Sequence, residues 1–387
     1  MTTPMLPDQE SDVPERRPEF EPSQESQDNS FIVWVLRILS ALVVPAVIIV
    51  FFFSFQFLKD DDVNKILQVT IAVIVGVVGV WALYWGMDRM VNLLPERPAS
   101  GVRPFVFVGP ALVFLSFYLV YPAINTTILA FRDRDGEGFV GFDNFVTLFT
   151  ESQYLTGIRN SIIWVLVVPA VAVVFGLGFA TLADKMGKRA ESISKSLIFL
   201  PMAISFVGAS VVWLFVYGFR PEGFGDQIGL LNGIMVGLGN DPVNWLQQQP
   251  WNNFMLMIIL VWLQVGFSMV ILSSAIKGVP DVLLEAARID GANEWQVFRK
   301  VTFPTISSTV VVVWTTVLIT TWKVFDIVWV MTGGRDGTQV VAQQMVQEFF
   351  TNLNDGLGAA LAVVLFIAVI PILVINVRRF QAQEAQR

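Results

Sequence analysis

Long apolar runs constrain this chain more than any other feature. A helix that crosses a bilayer needs about 20 predominantly apolar residues with few charges. Eight stretches meet that description, at roughly 32–58, 66–87, 104–131, 160–183, 196–219, 253–276, 308–330 and 356–377. The first contains Arg37, but 38–58 carries no charge, and 104–131 is charge-free throughout. One such run could be the buried helix of a soluble protein. Eight in 387 residues cannot, because charged residues make up only 15% of the chain, where a soluble domain carries about 25%, and too little polar surface remains to cover them. Spanning β-strands would be roughly 10 residues long with period-two alternation, and these runs are long and apolar on every face. The expected fold is therefore all-α and polytopic, with eight transmembrane helices.

Loop charge sets the expected orientation, since Lys and Arg concentrate on the cytoplasmic side. With the N-terminus inside, the inner segments, counted with Arg37, hold 17 basic residues, the outer loops hold 7, and Lys323 lies within a run. That split predicts a multi-pass protein of the cell (inner) membrane with both termini cytoplasmic. The net charge of −7 is concentrated in the first 30 residues, which carry 8 acids and 2 bases. This stretch is rich in Pro, Gln and Ser and reads as a disordered cytoplasmic tail, and not as a cleaved leader.

Several chemistries are excluded. The chain has no Cys and no His, so disulfides, Cys/His metal sites and Ser-His or Cys-His nucleophiles cannot be built. Its acidity gives no reason to expect nucleic-acid binding. No G-x-x-x-x-G-K-[ST] motif occurs, so ATP must be bound by a separate subunit; no cofactor and no metal is expected, and the chain reads as a non-enzyme. Asp326 is the one acid inside a run, and Lys323, three residues earlier on what reads as the same helix, is placed to pair with it, either structurally or functionally. Gly76 and Gly79, Gly176 and Gly178, and Gly229 and Gly233 read as sites of close helix packing or turns.

The segment between the sixth and seventh runs differs from the other loops. After Pro280, residues 281–290 suit a short amphipathic helix. Gly291 can turn the chain through positive φ, Asn293 can cap a second short helix over 294–300, and Pro304 permits a break before the next span. Two such helices suit either docking into a partner's groove or lying on lipid, and composition leaves both open.

The stretch EAARIDGANEWQVFRKVTFP resembles the EAA loop of ABC-importer permease subunits, with Glu-Ala-Ala, a glycine after three residues, and a closing hydrophobic-Pro, here Phe303-Pro304. In that family the loop inserts into a cleft on the ATPase subunit. The resemblance implies that Glu285, Ala286, Ala287 and Gly291, with Asp290 between them, couple the chain to ABC ATPase subunits. Further stretches, GPALVFLSFYLVYPAINTTILAFRD, FVGFDNF, LIFLPMAISFVGASVVWLFVY and VFDIVWVMTGG, are similar to the MalF-like branch of sugar-import permeases, and LPMAISFVGAS and WNNFMLMIILVWLQ look like α-glucoside and glucosylglycerol permeases. This implies a type I importer permease fold. The expected organisation is the tail at 1–30, two accessory helices at 31–103, and a six-helix core at 104–387 with the coupling loop at 281–304. It also implies a second permease subunit, an extracytoplasmic sugar-binding protein and a sugar substrate. The maltose permease carries a large domain after its third helix, where this chain has a loop of about 27 residues.

A sugar site needs hydrogen-bonding side chains and an aromatic surface. Gln264 and Ser268 share a helical face beside Phe267, and Thr316, Thr320 and Lys323 share another, flanked by Thr321. Aligned through the EAA loop, the substrate-contacting positions of the maltose permease fall on or near Leu263, Gln264, Phe267, Val317, Thr320, Thr321 and Val324. The same polar residues also suit plain helix–helix hydrogen bonding. An ion-coupled secondary transporter would need intramembrane acids and inverted repeats, where the chain shows one acid, Asp326, and no evident repeat, and a membrane glycosyltransferase would need paired carboxylates at a membrane face, which do not cluster outside the loop.

Overall fold

The computed structural model describes residues 30–59, 64–92 and 96–384; most of the acidic tail, 1–29, lies outside the described residues. Among those described, the regular elements are helices, joined by loops with one isolated bridge between Arg132 and Phe139. The chain divides between Tyr121 and Pro122, inside the third apolar run, where the sequence reading drew the boundary at 103/104.

The first unit contains α1 (Ser30–Leu58), α2 (Lys65–Val91), α3 (Glu96–Leu115) and a π turn (Ser116–Val120), and α4 (Tyr121–Leu129) belongs to the second unit from Pro122 onward. Small residues bring α1 and α2 together. Gly79 lies under the ring of Phe51, and Gly86 under Val43 and Val44. Tyr84 of α2 stacks on Phe107 of α3 with ring centroids 6.4 Å apart.

The second unit holds α5 (Asp143–Thr150), α6 (Ser152–Asp184), α7 (Lys188–Phe199), α8 (Phe206–Val216), α9 (Leu230–Gly237), α10 (Trp251–Lys277), α11 (Asp281–Ile289), α12 (Glu294–Val297), α13 (Phe303–Trp322), α14 (Asp326–Met331), α15 (Val341–Phe350) and α16 (Asp355–Glu384). Its centre is the pair α6 and α10. Gly176 admits Ser268 and the backbone of Met269 so closely that a β-carbon would collide with them. Trp164, Leu256, Ile259, Leu260, Met269 and Leu272 are fully buried along this seam, and Val313 and Val317 bring α13 onto it. Leu166, Val174, Phe215 and Ile375 face outward and are at least half exposed, as lipid-facing positions are.

Six helices among the described residues are long and apolar enough to cross a membrane: Lys65–Val91, Arg103–Leu129, Ser152–Asp184, Trp251–Lys277, Glu294–Trp322 and Asp355–Arg378. A seventh exists if Lys188–Ala203 and Phe206–Val216, bent by 102°, form one span. Among the described residues the count is thus six or seven, and the expected first span lies partly outside them. Run 196–219 is a broken pair because Ile204 and Ser205 leave the helical conformation and Ser205 caps α8, accepting from the amide of Gly208. The first run lies in α1, Ser30–Leu58, a helix of 29 residues of which Leu42–Leu58 is described as an apolar stretch.

Run 308–330 is also not one helix. It ends at Trp322, and Lys323 and Phe325 are non-helical before α14. The break lets Val324, Ile327 and Val328 bury completely or nearly so, while Lys323 stays exposed. Lys323 and Asp326 are therefore not successive turns of a helix and make no ion pair, contrary to the expectation from their spacing.

Candidate functional site

The loop after α10 has the local geometry its residues dictate. Pro280 precedes α11, and Gly291 turns the chain at φ 82°. Asn293 then forms a capping box: its side-chain oxygen accepts from the amide of Gln296 at 2.9 Å, and the Gln296 side chain accepts from the amide of Asn293 at 2.9 Å. Arg288 and Glu294 bridge the two short helices at 3.0 Å. Beyond α12, the helix does not break at Pro304. A π turn (Phe298–Thr302) leads directly into α13, so Glu294–Trp322 is continuous. The wider π turn accommodates both the missing N–H of Pro304 and its ring, which would clash with regular helix bonding.

Glu285, Ala286, Asp290 and Gly291 are exposed and Ala287 is half-buried. Beside them Val282, Ile289 and Trp295 are 74, 86 and 66% exposed, while Leu284 packs inward against the core. The loop is thus anchored on one side and presents an unpaired, largely apolar surface on the other. Asp184, Lys185, Lys277, Asp281, Arg288 and Glu294 line a cleft of about 340 Å³ where the loop meets α6 and α10.

A second cavity, of about 270 Å³, lies between α10, α13 and the bend after α7. Met202, Phe206, Leu263, Gln264, Phe267, Thr316 and Thr320 line it. Gln264 is 9% exposed and its amide makes no hydrogen bond within the described chain. The hydroxyls of Thr316 and Thr320 donate to carbonyls one turn back, at 2.8 and 3.0 Å, which leaves their acceptor sites free. Four of the expected pathway residues, Leu263, Gln264, Phe267 and Thr320, therefore meet here. The other four do not line it. Ser268 packs on Gly176 across the α6–α10 seam. Val317 and Val324 are buried in the core, and the Thr321 hydroxyl donates to the carbonyl of Val317 at 2.8 Å.

Sequence reasoning missed the fastening of the opposite end of the unit. The turn after α14 has positive φ at Gly333, Gly334, Asp336 and Gly337. Asn160 of α6 donates to the carbonyls of Gly337 and Gln339, at 2.7 and 2.8 Å, and Asn252 and Asn253 of α10 donate to those of Asp336 and Gly337. Only the run of glycines signalled this turn, and nothing in the sequence paired it with asparagines more than 80 residues away. Glu191 was missed as well. It is buried near the start of α7 and bonded to both Lys195 and Lys277.

Comparisons with known proteins agree with this architecture. Residues 153–385 match the family model of the binding-protein-dependent transport system inner membrane component. Over 282 residues the chain is 51% identical to the osmoprotective compounds uptake permease protein GgtC of Synechocystis sp., covering 73% of this chain and 100% of that protein. It is 43% identical over 329 residues to the alpha-glucoside transport system permease protein AglF of Rhizobium meliloti, covering 81% and 97%. Among solved structures, a bacterial alginate ABC transporter in complex with an alginate pentasaccharide-bound periplasmic protein superposes with a TM-score of 0.63 at 20% identity, over 73% of this chain and 96% of that one. This last likeness bears on fold alone. By family model and by relatives, the chain belongs to the inner membrane components of binding-protein-dependent transport systems.

Proposed function

We propose that this chain is a permease subunit of an ATP-driven ABC importer and forms half of the pathway for an α-glucoside-type sugar or glucosylglycerol. The observation that carries the substrate site is Gln264, a largely buried residue that lines the cavity and whose amide makes no hydrogen bond within the described chain, set beside Phe267, Thr316 and Thr320. The cavity thus offers a free amide and threonine hydroxyl oxygens to sugar hydroxyls, with the Phe267 ring as a surface to lay the sugar against. The two relatives, one a permease for osmoprotective compounds and one for alpha-glucosides, support the same substrate class.

In this reading α11 and the turn at Asp290–Gly291 dock into a cleft on an ABC ATPase subunit, which binds the ATP, and this chain catalyses no reaction of its own. A second permease subunit completes the pathway, and an extracytoplasmic binding protein delivers the sugar. The excess of Lys and Arg on one set of loops supports cytoplasmic termini and a cytoplasmic coupling loop.

Reconstitution of the chain with its ATPase, partner permease and binding protein in proteoliposomes tests this. Labelled glucosylglycerol, sucrose, trehalose and maltose are offered in competition, and ATP-dependent uptake of at least one is expected. Gln264→Ala lowers the apparent affinity for that sugar roughly three- to tenfold, the value of one lost hydrogen bond, without disassembling the complex. Glu285→Lys lowers ATPase assembly or uptake. Sugar transport by the chain alone, without ATP, overturns the reading and points to an ion-coupled carrier.

A further inference from the structure

Glu348 is an acid of α15 that belongs neither to the coupling loop nor to the cavity around Gln264, and it is only 6% exposed. Tyr154, at the start of α6, donates its hydroxyl to Glu348 Oε1 at 2.8 Å, and Asn352 donates its side-chain amide to the same oxygen at 2.9 Å. Among the described residues Glu348 makes no ion pair, and its Oε2 has no hydrogen-bond partner. A carboxylate at that depth is ordinarily paired with a cation or fully hydrogen-bonded. Here one oxygen is satisfied and the other is not.

Glu348 lines a cavity of about 220 Å³ enclosed by the first turn of α6, the glycine turn after α14, and α15. The amide oxygens of Gln339 and Gln344 are sealed in its wall, whereas Glu348 Oε2 is not. Hydrogen bonds hold that wall in place. Gln344 donates to the carbonyl of Gln153 at 2.7 Å, and Gln343 donates to Gln347 Oε1 at 2.8 Å. The amide nitrogen of Gln347 is left without a partner in the described chain. Arg335, exposed on the turn, also lines the cavity, and its guanidinium makes no ion pair or hydrogen bond within the described chain.

Among the described residues, the charged groups lining the cavity are Arg335 and Glu348, one of each sign, so it has no net charge to draw in an ion. It offers a carboxylate oxygen that can only accept and two nitrogens that can only donate. A hydroxyl group donates and accepts at once, so a compound with neighbouring hydroxyls satisfies both kinds of group. Position narrows the choice further. Tyr154 opens α6, while Asp184 and Lys185 at the other end of that helix border the cleft beside the coupling loop. At 1.5 Å per residue these ends are about 45 Å apart, the full thickness of a bilayer. The cavity shares no lining residue with the one around Gln264.

We propose that this cavity is a second sugar site, at the extracytoplasmic end of the permease, in which Glu348 accepts from a sugar hydroxyl while Arg335 and Gln347 donate to the sugar's oxygens. Its substrate class and its side of the membrane rest on the proposed function. Sugar entering from that side meets Glu348 before it meets Gln264.

Protection of a single thiol tests this. Gln153 is exposed, lines the cavity, and bonds through its side chain to Glu151, outside the proposed ligand groups. The chain has no native cysteine, so Gln153→Cys gives one reporter at the site. The variant is assembled with cysteine-free partner permease and ATPase subunits, the binding protein is omitted, and labelling by a maleimide is followed while glucosylglycerol, trehalose, sucrose or maltose is titrated in. At least one of these slows labelling saturably, and does so equally when Gln264→Ala is added. Glu348→Gln keeps an oxygen for Tyr154 and Asn352 but removes the charge, and it raises the half-protecting concentration roughly tenfold, the value of one charge-assisted hydrogen bond. Arg335→Ala, at an exposed position, raises it about threefold or more. Labelling at Asp241→Cys, in the loop between α9 and α10, is the same with and without sugar.

The proposal is overturned if no sugar protects Gln153→Cys, or if protection survives both Glu348→Gln and Arg335→Ala unchanged. Loss of protection with Gln264→Ala would also sink it, because the effect would then be relayed from the other cavity. Protection by calcium or sodium chloride in place of sugar would make this an ion site and overturn it equally. A wild-type complex whose thiol variant is protected, but which takes up none of these sugars with ATP, would defeat the transport reading and leave the site standing.

Discussion

At Gly176 a β-carbon would run into Ser268 and press on the amide of Met269, so glycine there sets how closely α6 and α10 approach. Without a hydrophobic driving force between spans, such close packing is a main source of helix association in a bilayer. Two other glycines act differently. Gly157 faces the side-chain oxygen of Gln344, and Gly334 that of Gln343, and both oxygens are buried without an N–H or O–H partner. A β-carbon at either glycine would collide with the facing oxygen. Gly176→Ala is expected to overpack the seam and cost about 1–3 kcal/mol, read as a lowered unfolding midpoint of the purified protein. Gly178→Ala, with nothing within 4 Å of the added atom, serves as the matched control and leaves the midpoint unchanged. The sequence reading treated these two glycines alike, since composition cannot tell which faces a neighbour. For the same reason it grouped Ser268 with Gln264. Helical spacing places residues on one face, but only the position of α6 decides that Ser268 packs against a glycine while Gln264 lines a cavity.

Among elements, the coupling loop was the most legible, because its shape is determined locally. Pro280, Gly291 and Asn293 each act through their own backbone conformation or a bond within three residues, so the expected helix, turn and cap appear as read. The break at Pro304 did not appear, because a π turn absorbs the proline, and neither the spacing nor the composition of FRKVT announces one. The breaks within 196–219 and 308–330 were equally hidden, since apolar runs of span length do not reveal where the chain bends. The loop's stability is local as well, so its loss should be felt in docking more than in folding. Asn293→Ala removes the capping box and costs about 1 kcal/mol. Gly291→Ala places a side chain at φ 82° in open space, so backbone strain of roughly 1–2 kcal/mol is its whole effect. Titration of the assembled permease pair with the ATPase subunit should show both variants binding several-fold more weakly, with the permease's own unfolding midpoint within a degree or two of the parent. A large drop in that midpoint with unchanged binding would mean that the loop belongs to the fold and not to the docking surface.

For the whole molecule, hydropathy and loop charge speak to different properties. Hydropathy identified a helical membrane protein, and the family comparison agrees. It overstated the number of unbroken spans, because length alone cannot separate a straight crossing from one bent by 102°. Loop charge addresses orientation, which rests on transfer of Lys and Arg across the bilayer and not on any contact within the fold. The two accounts meet in one requirement of the proposed function: the loop at 281–304 must face the compartment that holds ATP. Two exposed positions report it. Asp241 lies in the loop between α9 and α10, and Ile289, 86% exposed, closes α11. Because the chain has no cysteine, Asp241→Cys and Ile289→Cys each give a single thiol. A membrane-impermeant thiol reagent applied to cells with a permeabilised outer envelope should label the first at once and the second only after the inner membrane is lysed. With the docked ATPase present after lysis, labelling at Ile289→Cys should slow further, since the cleft would cover it. Labelling of Ile289→Cys from outside intact cells would invert the orientation and with it the assignment of this loop to an ATP-driven partner.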